Sequence, residues 1–388
     1  MSNVKKIEKK DWSSSFNLVG EAVIGDFTFK IDERSEKSNW IYNSLNLGVD
    51  CGEKHGIVYA EMLGGYGEDR ENVIYAHGKN DDGTDNFDEQ IIVSWEDRED
   101  EALLEKIGDL SFITVGLEKT DKDKTFYKKF LSEYDAIAYV KEHLTSGMVV
   151  NIRGNLKYSE YNDNTQVRKN ITSIALSSAD TSKYRATFTQ SVLIDSDSAS
   201  LKNDNVDKDK GVVFVNGIVL DYLKEKKGVE IKGQYPYKKQ FEFPLDLTNP
   251  SQCKLIVDKL FSVKRGFYNQ ITFEGEFVEG GATVTATLDD IPDDIKDLIA
   301  IGVYTEEEAL TRCTANGSRE RRMLLRKPYI KLVGEEKTPA IQVFEERYAE
   351  EDLVFDFGND EVPFDADEVK GTGDFDVKDD GLDWLSQL

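Results

Sequence analysis

A mainly β fold with a few helices, arranged as two tandem Greek-key β-barrels and an acidic tail, is what the amino-acid sequence predicts. Three observations carry that expectation. Apolar and polar residues alternate with the period of a strand through much of the chain. The order strand with a central glycine, further strands, helix, glycine, second strand with a central glycine occurs twice. Charge is unevenly placed, because Glu345–Leu388 holds sixteen Asp/Glu against three Lys/Arg and so carries half of the net charge of −26.

The stretch Met148–Leu176 is the clearest element. Met148, Val150, Ile152, Gly154, Leu156 and Tyr158 share one parity while Asn151, Arg153, Asn155 and Lys157 share the other, the pattern of a half-buried strand. Tyr161-Asn162-Asp163-Asn164 tolerates a turn and Arg168 resumes a strand, so a long hairpin is expected here with Tyr158, Tyr161, Arg168 and Lys169 near its tip.

Taken in order, residues 1–11 form a lysine-rich arm, and Phe16–Ile24 reads as a strand centred on Gly20. DFTFKI, WIYNSLNLGV and GIVYAEML read as further strands before Gly64, Gly65 and Gly67. Residues 68–130 are an insertion with acidic loops, and Ser132–Leu144 is a helix in which Ile137, Val140 and Leu144 lie on one face. In the second half Gly217 centres a strand matched to that of Gly20, and Asn249-Pro250 starts a helix that stops at Gly266. Gly275, between Phe273 and Phe277, then matches Gly154. The stretch Asp195–Lys210 is a linker or a long loop, and the last strand is expected at Tyr329–Val333.

A helix between the third and fourth strands, with glycines where strands bend to close a small barrel, is the signature of the oligonucleotide-binding (OB) fold. The expected organisation is a basic arm at 1–11, a first OB-like domain at 12–180, a second at 184–333 and a disordered acidic tail at 334–388.

Enzymatic chemistry has little support in the residues. There is no GxxxxGK loop, HExxH or CxxC pair, and three histidines with Cys51, Cys253 and Cys313 make neither a tetrahedral metal site nor a disulfide framework. Asp289, Asp290, Asp293 and Asp294 read as a helix N-terminus before they read as a Mg²⁺ site. No enzyme activity, cofactor or metal is expected. No run approaches the roughly 20 apolar residues that span a bilayer, and no signal leader is visible, so the expected location is the cytoplasm.

Single-stranded nucleic acid is held by cations that follow phosphates and by aromatic faces that stack bases. Residues of that mixture are Lys30, Arg34, Trp40 and Tyr42, then Arg153, Lys157, Tyr158, Tyr161, Arg168 and Lys169 on the hairpin. A denser group is Tyr222, Lys224, Lys226, Lys227, Tyr235, Tyr237, Lys238 and Lys239, expected in the loop between the first two strands of the second barrel. Arg265 and Tyr268 follow its helix, and Arg321 and Arg322 lie in the most cationic stretch. All are expected to line one continuous channel. The tail intersperses Phe355, Phe357, Phe364, Phe375 and Trp384 among carboxylates, a physical imitation of a nucleic-acid strand, with Asp383, Trp384 and Leu385 as a partner-binding tip.

In this layout the chain resembles the bacteriophage single-stranded DNA-binding proteins. That resemblance implies barrels that coat single strands in replication and recombination, and a tail that regulates binding and recruits partner proteins. The chain departs from the T-even phage type by lacking a Cys/His zinc cluster, and from bacterial counterparts by ending Trp-Leu-Ser-Gln-Leu instead of Pro-Phe. An interaction or virion-associated structural protein without nucleic-acid binding is the alternative, and a Mg²⁺-dependent nuclease ranks third.

Overall fold

The structure, a computed structural model, describes residues 6–355 apart from 36–37, 162–163, 227, most of 281–319, and 335–336. The first barrel uses β1 (Ser14–Val23), β3 (Trp40–Asp50), β4 (Ile57–Gly67), β9 (Val149–Tyr161) and β10 (Asn164–Leu176), with β2 (Phe29–Arg34) added alongside β3. β1 pairs antiparallel with both β3 and β9, β3 with β4, and β9 with β10, while β10 meets β4 in parallel at Asn170 opposite Glu61. That ring, with strand order 1-2-3-5-4-1 and a helix between the third and fourth strands, is an OB-fold barrel.

The helix, α2 (Glu133–His143), forms where Ser132 accepts the N–H of Tyr134 and where acids open and bases close the segment. It buries Ala136, Ile137 and Val140 against the barrel. Ahead of it lies the insertion: β5 (Val73–Lys79) pairs with β6 (Asp85–Ser94), α1 (Glu101–Leu104) follows, and β7 (Ile113–Lys119) with β8 (Thr125–Phe130) extends the sheet from β10. The β5–β6 ribbon has its own small core with Ile107, Phe112 and Leu131.

The second barrel repeats the ring with β11 (Arg185–Ile194), β13 (Val212–Lys226), β14 (Val229–Pro244), β15 (Phe267–Gly280) and β16 (Glu320–Pro328). β11 pairs with β13 and β15, β13 with β14, and β15 with β16, and Glu242 of β14 faces Leu324 of β16 in parallel. α3 (Pro250–Phe261) stands between the third and fourth strands, capped by Asn249. The short β12 (Val206–Asp207) pairs with β13. The fold is therefore mainly β with tandem OB barrels, as expected, and β1 pairs with β11 over six positions so that one sheet runs through both.

The repeat extends to individual contacts. Phe16 lies opposite Gly154 in the first barrel and Phe188 opposite Gly275 in the second, each joining the first strand to the fourth. A Cβ on Gly275 would stand 2.1 Å from the Phe188 ring, and one on Gly154 would stand 1.8 Å from the Asn170 carbonyl oxygen. Only a residue without a side chain lets the strands close that far.

Three expectations are corrected. The strand of Gly217 is the second strand of its barrel and not the first; β11, which has no glycine, opens it because eight of its residues pair with β15. Tyr222–Phe241 therefore belongs to the long β13–β14 hairpin instead of a loop between strands one and two. The acidic tail also begins later than residue 334. β17 (Ile330–Val333), expected as the last strand, makes a separate hairpin with β18 (Thr338–Ile341), and β19 (Val343–Ala349) pairs with β15. Tyr348 is buried there, which ties this stretch to the barrel. The four aspartates at 289–294 and the tail tip Asp383, Trp384 and Leu385 lie outside the described residues.

Candidate nucleic-acid interface

An OB barrel offers ligands the outer face of its second and third strands and the loops joining strands one to two and four to five. In the second barrel the parallel meeting of β14 with β16 brings together cations far apart in sequence. Lys238, Lys239, Arg321 and Arg322 line a cleft of about 370 Å3 with Gln240, Glu242 and Met323. The tip of the first barrel's hairpin completes it through Asn164 and Thr165. Arg322 Nε donates to Glu242 at 2.8 Å, which orients one cation and leaves the cleft with a single carboxylate. Lys239 is half-buried, and its pKa is lowered by desolvation and by the nearby charge of Lys169. An anion in the cleft would oppose the field of Lys169 and favour the charged form of this lysine.

The hairpin β9–β10 and the arm formed by the far ends of β13 and β14 grip each other. Asp221 accepts the backbone N–H of Tyr158 at 2.8 Å and lies 3.7 Å from Lys157 and 3.9 Å from Lys9. Lys226 donates to Glu160 and to the Tyr235 hydroxyl, both at 2.6 Å. Lys169 is buried in an ion pair with Glu279 and sits over the Phe277 ring. The arm also receives the described end of the acidic segment, where Phe355 packs on Tyr235 with ring centroids 5.4 Å apart.

Several predicted contacts are thereby reassigned. Tyr158 is buried with its hydroxyl donating to Gln190, and Tyr237 is buried in the barrel, so neither offers a ring face to a base. They share strand parity with core residues, which outweighs their polar tips. Lys169, Lys226 and Lys157 join one barrel to the other. Arg34 forms a surface pair with Glu68, and Arg168 lies 3.8 Å from Glu61. The half-buried Tyr268 lies at the end of β15 that pairs with β19, with Arg265 in the turn just before that strand, whereas Arg321 and Arg322 pair with the opposite end of β15. Arg265 and Tyr268 therefore do not join the cleft.

Tyr161 and Tyr222 are exposed by about half, Lys224, Arg153 and Lys30 are exposed, and Lys227 lies outside the described residues. Trp40 and Tyr42 stack with centroids 4.8 Å apart at 15°. Trp40 lines a second cleft, against the insertion. The predicted residues thus fall into separate groups in place of one channel. The cleft residues Asn164, Thr165 and Gln240 escaped the sequence reading; their only signal was position, beside a turn and beside two lysines.

Among the described residues no group of three or more His, Cys, Asp or Glu is arranged to hold a metal ion, and no helix is long and apolar enough to cross a membrane. A family model described as YorF matches residues 75–242, from β5 into the third strand of the second barrel. No curated protein matches the sequence. Among solved structures, a deletion mutant of the single-stranded DNA binding protein from Thermus aquaticus aligns at 9% identity and a TM-score of 0.28, covering 69% of this chain and 87% of that one.

Proposed function

We propose that this protein binds single-stranded DNA without sequence preference and without catalysis, in replication or recombination of a phage genome. The observation that carries the reading is the cleft of Lys238, Lys239, Arg321 and Arg322. In a chain of net charge −26, four cations converge on one concave site at the third and fifth strands of an OB barrel. Glu242 pairs with Arg322, and holding Lys238, Lys239 and Arg321 together beside that pair costs free energy that a bound polyanion would recover. Exposed Tyr161 and Tyr222, on the two hairpins that grip each other, supply rings on which bases can stack.

The acidic segment regulates access in this proposal. Phe355 already rests on Tyr235 beside Lys226, so the carboxylate-rich residues that follow start next to the arm and compete with DNA for its cations. Once displaced, the tail recruits replication or recombination proteins.

A fluorescence titration with oligo-dT at two salt concentrations tests the reading. Affinity should fall with salt by about 0.7 log units per decade for each phosphate neutralised. Absence of binding at low salt would reject it.

A further inference from the structure

The insertion exposes a linked series of large apolar side chains. In the β5–β6 ribbon, Ile74, Ala76, Ile91 and Val93 turn inward to its small core, so residues of the opposite parity face water. Tyr75 and Ile92 lie directly opposite each other on that outer face. A register shift after His77 leaves residues 87–89 of β6 unpaired, and the Phe87 ring rests against His77. The His77 ring bonds Asp85 at 2.7 Å, and Asp85 accepts the backbone N–H of Leu110 at 2.9 Å. Asp109, next in the chain, holds Lys79 of β5 at 3.2 Å and Lys129 of β8 at 2.9 Å. Tyr127 shares a face of β8 with Lys129. Tyr75, Phe87, Ile92, Leu110 and Tyr127 are each more than half exposed. Apolar side chains scattered singly over a surface are ordinary, whereas a connected group of this kind marks an interaction site.

Charge is divided across this patch. On the ribbon side residues 71–94 hold six carboxylates against one lysine, and Asp88 and Glu89 are exposed beside Phe87. On the hairpin side residues 119–129 hold five lysines against two aspartates, and Lys122 and Lys124 are exposed at the β7–β8 turn. Single-stranded DNA, or any partner of one sign, would match only one of the two sides. A patch that is acidic on one side, basic on the other and apolar between is complementary to itself after a half-turn. That is the requirement of an isologous dimer.

We infer that two copies of this chain associate through the patch about a twofold axis near Leu110, the ribbon of each against the β7–β8 hairpin of the other. The net charge of −26 repels copies at a distance. At about 0.15 M salt that repulsion is largely screened beyond roughly 8 Å, while opposite charges brought into contact are screened less. Association therefore depends on the local match and not on the total charge. It needs no nucleic acid, so it stands apart from the DNA reading.

Sedimentation equilibrium of the full chain without DNA, at about 0.15 M salt and up to roughly 100 μM protein, tests the inference. The mass should rise with concentration to twice that of one chain. Phe87→Asp combined with Leu110→Asp should leave a monomer. Lys122→Glu with Lys124→Glu in one protein, and Asp88→Lys with Glu89→Lys in another, should each leave a monomer when alone. An equimolar mixture of those two charge-reversed proteins should restore the dimer, because each acidic side then meets a basic one again. Every substituted side chain is exposed, and circular dichroism checks that the variants keep the native fold. A wild type that stays monomeric, a dimer that survives Phe87→Asp with Leu110→Asp, or a mixture that stays monomeric overturns the inference. Growth past two copies overturns the twofold arrangement. None of these outcomes alters the oligo-dT titration, which judges the DNA reading separately.

Discussion

Asp221 accepts the backbone N–H of Tyr158 at 2.8 Å across 63 residues of sequence, and so fastens the arm of the second barrel to the hairpin of the first. The bond is buried and its acceptor is charged, a combination worth roughly 1.5–3 kcal/mol. Asp221→Ala removes the acceptor and strands the N–H, so urea unfolding should show a loss of about that size. Asp221→Asn, which keeps an oxygen, should lose less; equal losses would argue that charge alone matters.

Replacing Lys238, Lys239 and Arg321 together by alanine should weaken oligo-dT binding at low salt. It should also flatten the salt dependence by about 0.7 for each phosphate that is no longer neutralised. Arg265→Ala, at the other end of β15, should leave both unchanged. A comparable effect from Arg265 would place the path of the strand elsewhere.

Lys239 also sets a pH dependence. Burial and Lys169 hold its pKa below the ordinary lysine value, and a bound phosphate would raise it. Binding then takes up a proton wherever the free protein has lost it, so affinity is flat below the depressed pKa and falls as pH rises through it. Lys239→Arg, always charged, should abolish that fall in a titration series across alkaline pH.

The Phe188–Gly275 contact predicts a packing defect. A Cβ at Gly275 would meet the ring at 2.1 Å, and the ring is held by Phe277 at a centroid distance of 4.9 Å. Gly275→Ala should cost about 1–3 kcal/mol, the range for overpacked cores, measured by thermal or urea unfolding.

Truncation after Phe355 removes the acidic residues that follow but keeps β19 and the ring on Tyr235. Oligo-dT should then bind more tightly, most clearly at low salt where competition by the tail is least screened. An unchanged affinity would show that the tail does not occupy the cationic site.

Cys51 is buried, and its thiol is pushed up to about 12 by burial and by Asp50 and Glu279. Its modification by a thiol reagent near neutral pH should therefore wait on unfolding, because the thiolate is the reactive form. Rapid labelling of Cys51 in the native protein, read by peptide mass mapping, would contradict this burial.

Residue type and spacing alone determined the barrel fold class, the helices α2 and α3 and the charge asymmetry. Alternation along Met148–Tyr158, the Ser132 and Asn249 caps, and glycines at 154 and 275 are local signals, readable without knowing what lies opposite. Pairing was not local. That β11 and not the Gly217 strand opens the second barrel, that Tyr158 and Tyr237 are covered, and that Lys239 meets Arg321 all depend on strands far apart in the chain. Alternation shows which side chains share a face, but only tertiary packing decides whether that face meets solvent, a phosphate or the other barrel.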